Sequence, residues 1–174
     1  MMKKSLVLMT LAFLGGLGAV SALCVLPVFA GTSSSAGTAS PIAAWCESQG
    51  GKIEIYQGAQ GDTGICRLDR ALVGDGTFYS ATAGHTRTLA TQAFLAHIGV
   101  PSSSSGDAVE MPNPASVYCA RVGGVSKILR SAPGETGFCE FSDRSLIEEW
   151  TLFEGPTAEG NTKLARALGF RSGS

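Results

Sequence analysis

The chain has 174 residues, of which thirteen are basic and fourteen acidic, and its one adjacent basic pair is Lys3-Lys4 at the extreme N-terminus. That leaves no electrostatic footprint for nucleic acid. Twenty-three glycines and an aromatic content of 7% point to small, loop-rich units rather than one large core.

The N-terminus reads as an export signal over 1–30. Lys3 and Lys4 form a positive start, Ser5 to Ala30 carries no charge, and Val28-Phe29-Ala30 places small residues where signal peptidase cuts. An uncharged run of this length is also long enough to span a bilayer, so retention as an N-terminal anchor is the alternative. Gly15, Gly16 and Gly18 weaken such a helix and favour cleavage. Leu23 before Cys24 is too bulky for a lipid-attachment site. Both readings place the remainder outside the cytoplasm: periplasmic, secreted, or anchored to the inner membrane. Residues 31–39 (GTSSSAGTA) form a flexible linker.

Ser40-Pro41 opens the first of two similar copies, 40–99. Ser40 suits an N-cap and Pro41 the first helical position, and Gly50-Gly51 stops the helix. Lys52 to Tyr56 alternates as a half-buried strand, 58–64 turns, and Ile65 to Leu68 returns as the second strand of a hairpin. The second copy, 113–174, follows a linker at 100–112 and repeats the plan from Asn113-Pro114. Aligned at an offset of 73, the copies share ten identities in twenty-six positions, among them Pro41/Pro114, Cys46/Cys119, Gly50-Gly51/Gly123-Gly124, Thr63-Gly64/Thr136-Gly137 and Cys66/Cys139. These positions have structural jobs, and an internal duplication follows.

Each copy carries Cys-x19-Cys from its helix to its second strand. The simplest pairing is Cys46–Cys66 and Cys119–Cys139, two disulfides in an oxidising compartment, each contributing about 3 kcal/mol in the chain-entropy model. The spacings for a zinc site are missing, and no metal or other cofactor is expected. Beyond the hairpins the copies diverge. Leu146, Ile147, Trp150 and Phe153 share a helical face over 145–154, whereas Gly74 and Gly76 break that pattern over 71–79. Each copy ends in a helix, at 88–98 and about 163–168. The expected fold is therefore α+β, as two small disulfide-stapled helix–β-hairpin–helix units in tandem.

Asn113-Pro114-Ala115-Ser116, Tyr118-Cys119, Gly123-Gly124, Gly134, Gly137, Cys139, Asp143, Ser145, Glu148-Glu149-Trp150 and Gly155 together resemble a small bacterial domain-of-unknown-function family commonly labelled a hemolysin. The match is weaker over 40–69. Ile147 and Thr157 stand where the family has cysteines, which implies that those two pair with each other there. The resemblance implies an exported or envelope protein and carries no mechanism with it.

Catalytic residues are not indicated. His85 and His97 lie in the variable tail of copy one and read as solvated, and no Ser-His-Asp set or phosphate-binding glycine motif exists. Glu148 and Glu149 are neighbours on a helix, so they do not converge, and they read as a solvated face beside a buried Trp150. Trp45 and Tyr118 precede the first cysteine of each copy, where they either pack on the disulfide or form an exposed ligand patch; packing is favoured. Trp45, Tyr118, Glu148, Glu149 and Trp150 are the candidate binding surface. The expected function is non-enzymatic binding of a protein or cell-envelope component. The alternatives are a membrane-active factor, as the family label says, and a protease-inhibitor-like module presenting the turn at 58–64 or 131–137. Contact with a membrane is expected only through a retained N-terminal segment.

Overall fold

The computed structural model describes residues 40–98 and 113–171. The predicted export segment, Cys24 and the linkers at 31–39 and 100–112 lie outside the described residues. In chain order the first copy runs α1 (Pro41–Ser48), β1 (Lys52–Gly58), β2 (Gly61–Leu68), β3 (Ala71–Gly74), α2 (Asp75–Thr82) and α3 (Leu89–Ala96). The second runs α4 (Pro114–Arg121), β4 (Val125–Ser131), β5 (Gly134–Glu140), β6 (Leu146–Glu148), α5 (Glu149–Glu154), a 3-10 turn (Glu159–Asn161) and α6 (Thr162–Ala167).

The caps work as the sequence predicts. Ser40 Oγ accepts the Ile42 N–H at 3.3 Å, Asn113 Oδ1 accepts the Ala115 N–H at 3.1 Å, and a proline follows each cap. Both predicted disulfides are present, Cys46–Cys66 and Cys119–Cys139. The two glycines of each pair do different work. Gly50 and Gly123 take positive φ, 74° and 88°, which ends the helix. Gly51 and Gly124 lie against the disulfides: a Cβ on Gly51 would stand 2.7 Å from Cys46 Sγ and 2.9 Å from Cys66 Sγ.

The expectation of two helix–hairpin–helix units is corrected at the sheet. All six strands close into one barrel, in the order β1-β2-β3-β6-β5-β4. Each copy supplies a three-stranded antiparallel half. The halves meet at two seams, where Gln57 pairs with Arg130 and Val73 with Ile147. Both seams pair a residue with its own equivalent in the other copy, so a pseudo-two-fold axis runs through them. The offset between equivalents is 73 through the hairpins and 74 from the third strands onward, since Cys66 faces Val73 while Cys139 faces Ile147. One half alone would leave two sheet edges and an apolar face in water, and closure removes both.

The helix predicted over 145–154 is also corrected. Leu146 to Glu148 is strand β6, and α5 starts only at Glu149. Leu146 points into the barrel and Ile147 into the layer under the helices, so both faces are buried and no period-two alternation exists to read. The same holds for Leu72 and Val73 in β3.

The barrel interior is filled by Tyr56, Ile65, Leu72, Leu129, Phe138 and Leu146, which are three pairs of equivalents. Tyr56 meets Phe138 edge-on, ring centres 5.3 Å apart. A second core between barrel wall and helices contains both disulfides, Phe78, Phe94, Leu152 and Leu164. The copies are also laced together. Thr77 Oγ1 accepts the Leu146 N–H at 2.9 Å, and its equivalent Thr151 Oγ1 accepts the Leu72 N–H at 3.2 Å. The start of α3 is capped by the other copy: Leu89 N–H donates to Asp143 Oδ2 at 2.8 Å and Ala90 N–H to Ser145 Oγ at 2.9 Å. In return Lys163 of α6 donates to the Gly50 carbonyl at 2.6 Å.

Candidate functional site

The hairpin turns are tight. Gly58 pairs with Gly61 and Ser131 with Gly134, so only Ala59-Gln60 and Ala132-Pro133 stand outside the strands. Residues 61–64 and 134–137, predicted as part of a presented loop, are strand. Their glycines leave room for carboxylates: Gly64 lies against Asp75 and Gly137 against Glu149. Asp75 and Glu149 are equivalents, each the first residue of the helix after the third strand.

Around these two carboxylates the copies differ. Glu149 is 1% exposed and its Oε2 accepts the Ser116 hydroxyl at 2.7 Å. The equivalent of Ser116 is Ala43, which has no hydroxyl, and Asp75 opens on a cleft of about 570 Å³. The first turn of α2, the β1–β2 turn, β4 and the segment before β6 form its walls. Gly74, Gly76 and Ser80 line it, and copy two has Glu148, Trp150 and Glu154 at those positions. Copy one is built there from small residues, which leaves Asp75 open to the cleft.

Three carboxylates and two cations line this cleft: Asp75, Glu140, Asp143, Lys127 and Arg144. Lys127 and Glu140 form an ion pair, 2.5 Å apart. Its counterpart in copy one is the bidentate Arg67–Glu54 pair, 2.8 Å on both arms, with the charges exchanged between the two strands. The hydrogen bonds and charge of Arg67 hold Glu54 below the ordinary carboxylate range against partial burial. At Asp143 burial opposes ionisation, but the Ser145 hydroxyl and the N–H groups of Leu89 and Ser145 outweigh it and hold the carboxyl below its usual value. Asp75 goes the other way. Burial raises it, and one backbone hydrogen bond from Gly76 only partly opposes the rise.

Of the residues proposed from sequence as a binding surface, Tyr118, Glu148 and Glu149 are buried, Trp45 is half-buried and Trp150 is exposed. Tyr118 is 2% exposed; its ring meets Phe153 edge-on at 5.9 Å and lies 5.8 Å from that of His97. Its equivalent Trp45 is half-buried, packs edge-on against Tyr79 at 6.2 Å, and donates its Nε1–H to Thr82 Oγ1 at 2.8 Å. Both side chains pack, each against a ring of the helix that follows. Glu148 and Glu149 are buried rather than solvated. Glu148 caps α5 by accepting the N–H groups of Trp150 at 2.9 Å and Thr151 at 2.6 Å, and burial raises its pKa despite them. Trp150, expected in the core, is 45% exposed, because the strand ends at Glu148 and the helix that follows turns it outward. His97 is half-buried and donates Nε2–H to the Phe153 carbonyl at 2.8 Å, while His85 is exposed. The sequence reasoning missed Asp75 and Arg144. The signal for Asp75 was present: a glycine kept at 64 and 137, and an acid at the start of the next helix in both copies.

Among the described residues no three His, Cys, Asp or Glu side chains are placed to hold a metal ion, and no helix is long and apolar enough to cross a membrane. The two disulfides fit an oxidising environment outside the cytoplasm. No curated protein and no solved structure matches the chain. A family model described as "Domain of unknown function (DUF333)" matches it over residues 37–73 and again over 110–156. The two segments start just ahead of α1 and α4; the first ends within β3 and the second after α5, so the family's pattern is matched twice, in tandem.

Proposed function

We propose that the protein is an exported, non-enzymatic binding module that takes a protein or cell-envelope component into the cleft of copy one. The observation that carries this reading is the asymmetry of a symmetric molecule. Two equivalent carboxylates sit over two equivalent glycines, and one is sealed while the other faces a 570 Å³ opening. The lining favours binding over catalysis. Among the described residues it contains no histidine and no thiol, and its other two carboxylates are occupied by Lys127 and by the start of α3. Export rests on the charged start and uncharged run of 1–30 together with the disulfides, and it places the cleft in the periplasm or outside the cell.

Gly76 provides the test. A Cβ there meets nothing within 4 Å, and its φ is not in the positive range, so larger residues fit without backbone strain. Gly76→Trp installs the residue of copy two and obstructs the cleft. Crosslinking and pull-down from the cell envelope should recover a partner with the wild-type protein and with Gly76→Ala, and lose it with Gly76→Trp at unchanged thermal stability. Equal recovery by all three proteins would remove the cleft from consideration.

A further inference from the structure

The charges of the cleft narrow what it accepts. Lys127 and Glu140 neutralise each other, and both Asp143 oxygens accept hydrogen bonds from the protein: Oδ2 from Leu89 N–H, and Oδ1 from the N–H and hydroxyl of Ser145. Asp75 is the exception. Its Oδ1 accepts the Gly76 N–H at 2.6 Å, and its Oδ2 accepts no hydrogen bond among the described residues. A Cβ on Gly64 would collide with that same oxygen, so a side chain there would displace the carboxylate. In copy two the Ser116 hydroxyl donates to the equivalent oxygen, Glu149 Oε2, while Glu149 Oε1 is buried without a partner; Ala43 offers copy one no such hydroxyl. Asp75 is left as a partly desolvated acceptor, at the wall of a cavity, with one oxygen to offer.

Resting on the reading of this cleft as the binding site, we propose that it holds an organic ammonium group against Asp75. An ammonium is a compact charge that one free carboxylate oxygen satisfies, whereas a guanidinium in its forked geometry would have to share Oδ1 with the Gly76 N–H. A divalent cation needs more oxygen ligands than the described residues bring together. The hydroxyls of Thr63 and Ser80 line the same cleft and offer neutral acceptors for the remaining ammonium hydrogens. Arg144 lines it too, with no ion pair among the described residues, and favours a ligand that carries a carboxylate beside its amine. Burial already raises Asp75 above the ordinary range, and an ammonium brought against it stabilises the ionised form.

Calorimetric titration of the purified protein with three probes tests this. Nα-acetyl-lysine carries an ammonium and a carboxylate, 1,5-diaminopentane carries ammonium groups alone, and Nα,Nε-diacetyl-lysine carries no ammonium. The expected result is binding of Nα-acetyl-lysine, at least tenfold weaker in Asp75→Asn, with affinity rising as pH rises and Asp75 ionises, and no binding of the diacetyl compound. Binding of the diamine as well would identify free amines as a sufficient source. Silence of the diamine would identify amino-acid or peptide amines. Failure of both ammonium probes to bind, or equal binding by Asp75→Asn, overturns the assignment. If Asp75→Asn does not fold, the difference between acetyl- and diacetyl-lysine on the wild-type protein decides. Envelope capture separates this inference from the reading beneath it. Loss with Gly76→Trp but not with Asp75→Asn overturns the ammonium alone, and capture by both variants overturns the site.

Discussion

A methyl group on Gly51 would stand 2.7 Å from one disulfide sulfur and 2.9 Å from the other, while a methyl group on Gly76 would touch nothing within 4 Å. These two glycines should therefore respond in opposite directions. Gly51→Ala forces the staple or the hairpin to move and is expected to cost about 1–3 kcal/mol. Gly76→Ala, inside a helix, is expected to add roughly 0.5–1 kcal/mol by removing backbone freedom from the unfolded chain. Urea unfolding midpoints of the two variants check both. Asp75 makes a prediction about pH. Its pKa is raised by burial above the ordinary 3.8, so the folded state holds the proton more tightly than the unfolded chain. Stability from this group is then present at low pH and declines as pH rises from 3.8 through the raised folded value. Asp75→Asn should flatten the decline and be the more stable protein at neutral pH. Denaturation midpoints measured across that pH range would contradict this if the variant lost stability there. Glu148 is raised by burial as well and adds a decline of the same sign.

Helices, hairpins and staples could be read from the chain because local chemistry determines them. Ser40-Pro41 and Asn113-Pro114 start α1 and α4, the glycine pairs stop them, and Cys-x19-Cys spans helix to second strand in both copies. Replacing Cys46 and Cys66 together by serine is expected to cost about 2–4 kcal/mol by freeing a loop of 19 residues in the unfolded chain, visible as a lower thermal midpoint. The third strands were not legible. Ala71–Gly74 and Leu146–Glu148 are buried on both faces, so they carry no alternation, and at three or four residues they resemble the first turn of the helix that follows. Misplacing that boundary also misplaced Trp150, since a helix begun at Ser145 and one begun at Glu149 present different faces to the core. Glu148 and Glu149 read as solvated because the sequence does not show that a helix start and a glycine floor await them.

The barrel belongs to neither copy. Its interior is three pairs of equivalent side chains, its seams pair Gln57 with Arg130 and Val73 with Ile147, and reciprocal threonine bonds cross it. Thr77→Val and Thr151→Val each leave a buried N–H of the other copy without a partner, at an expected cost of about 1–3 kcal/mol apiece. Because the two bonds are symmetry mates in one cooperative unit, each variant should lower a single unfolding transition. Two separated transitions in calorimetry would mean that the copies melt independently. None of this was readable from a single copy, because each third strand meets the other copy across a seam whose partner residues lie about seventy positions apart. The tandem joining has a consequence of its own. Were the barrel assembled from two identical chains, every mutation would strike both carboxylate positions at once, and a cleft opened on one side would be opened on the other. Covalent fusion releases that constraint. Ser116 can seal one position while Ala43 leaves the other open, and under the proposed reading of the cleft the molecule divides support and recognition between its two copies.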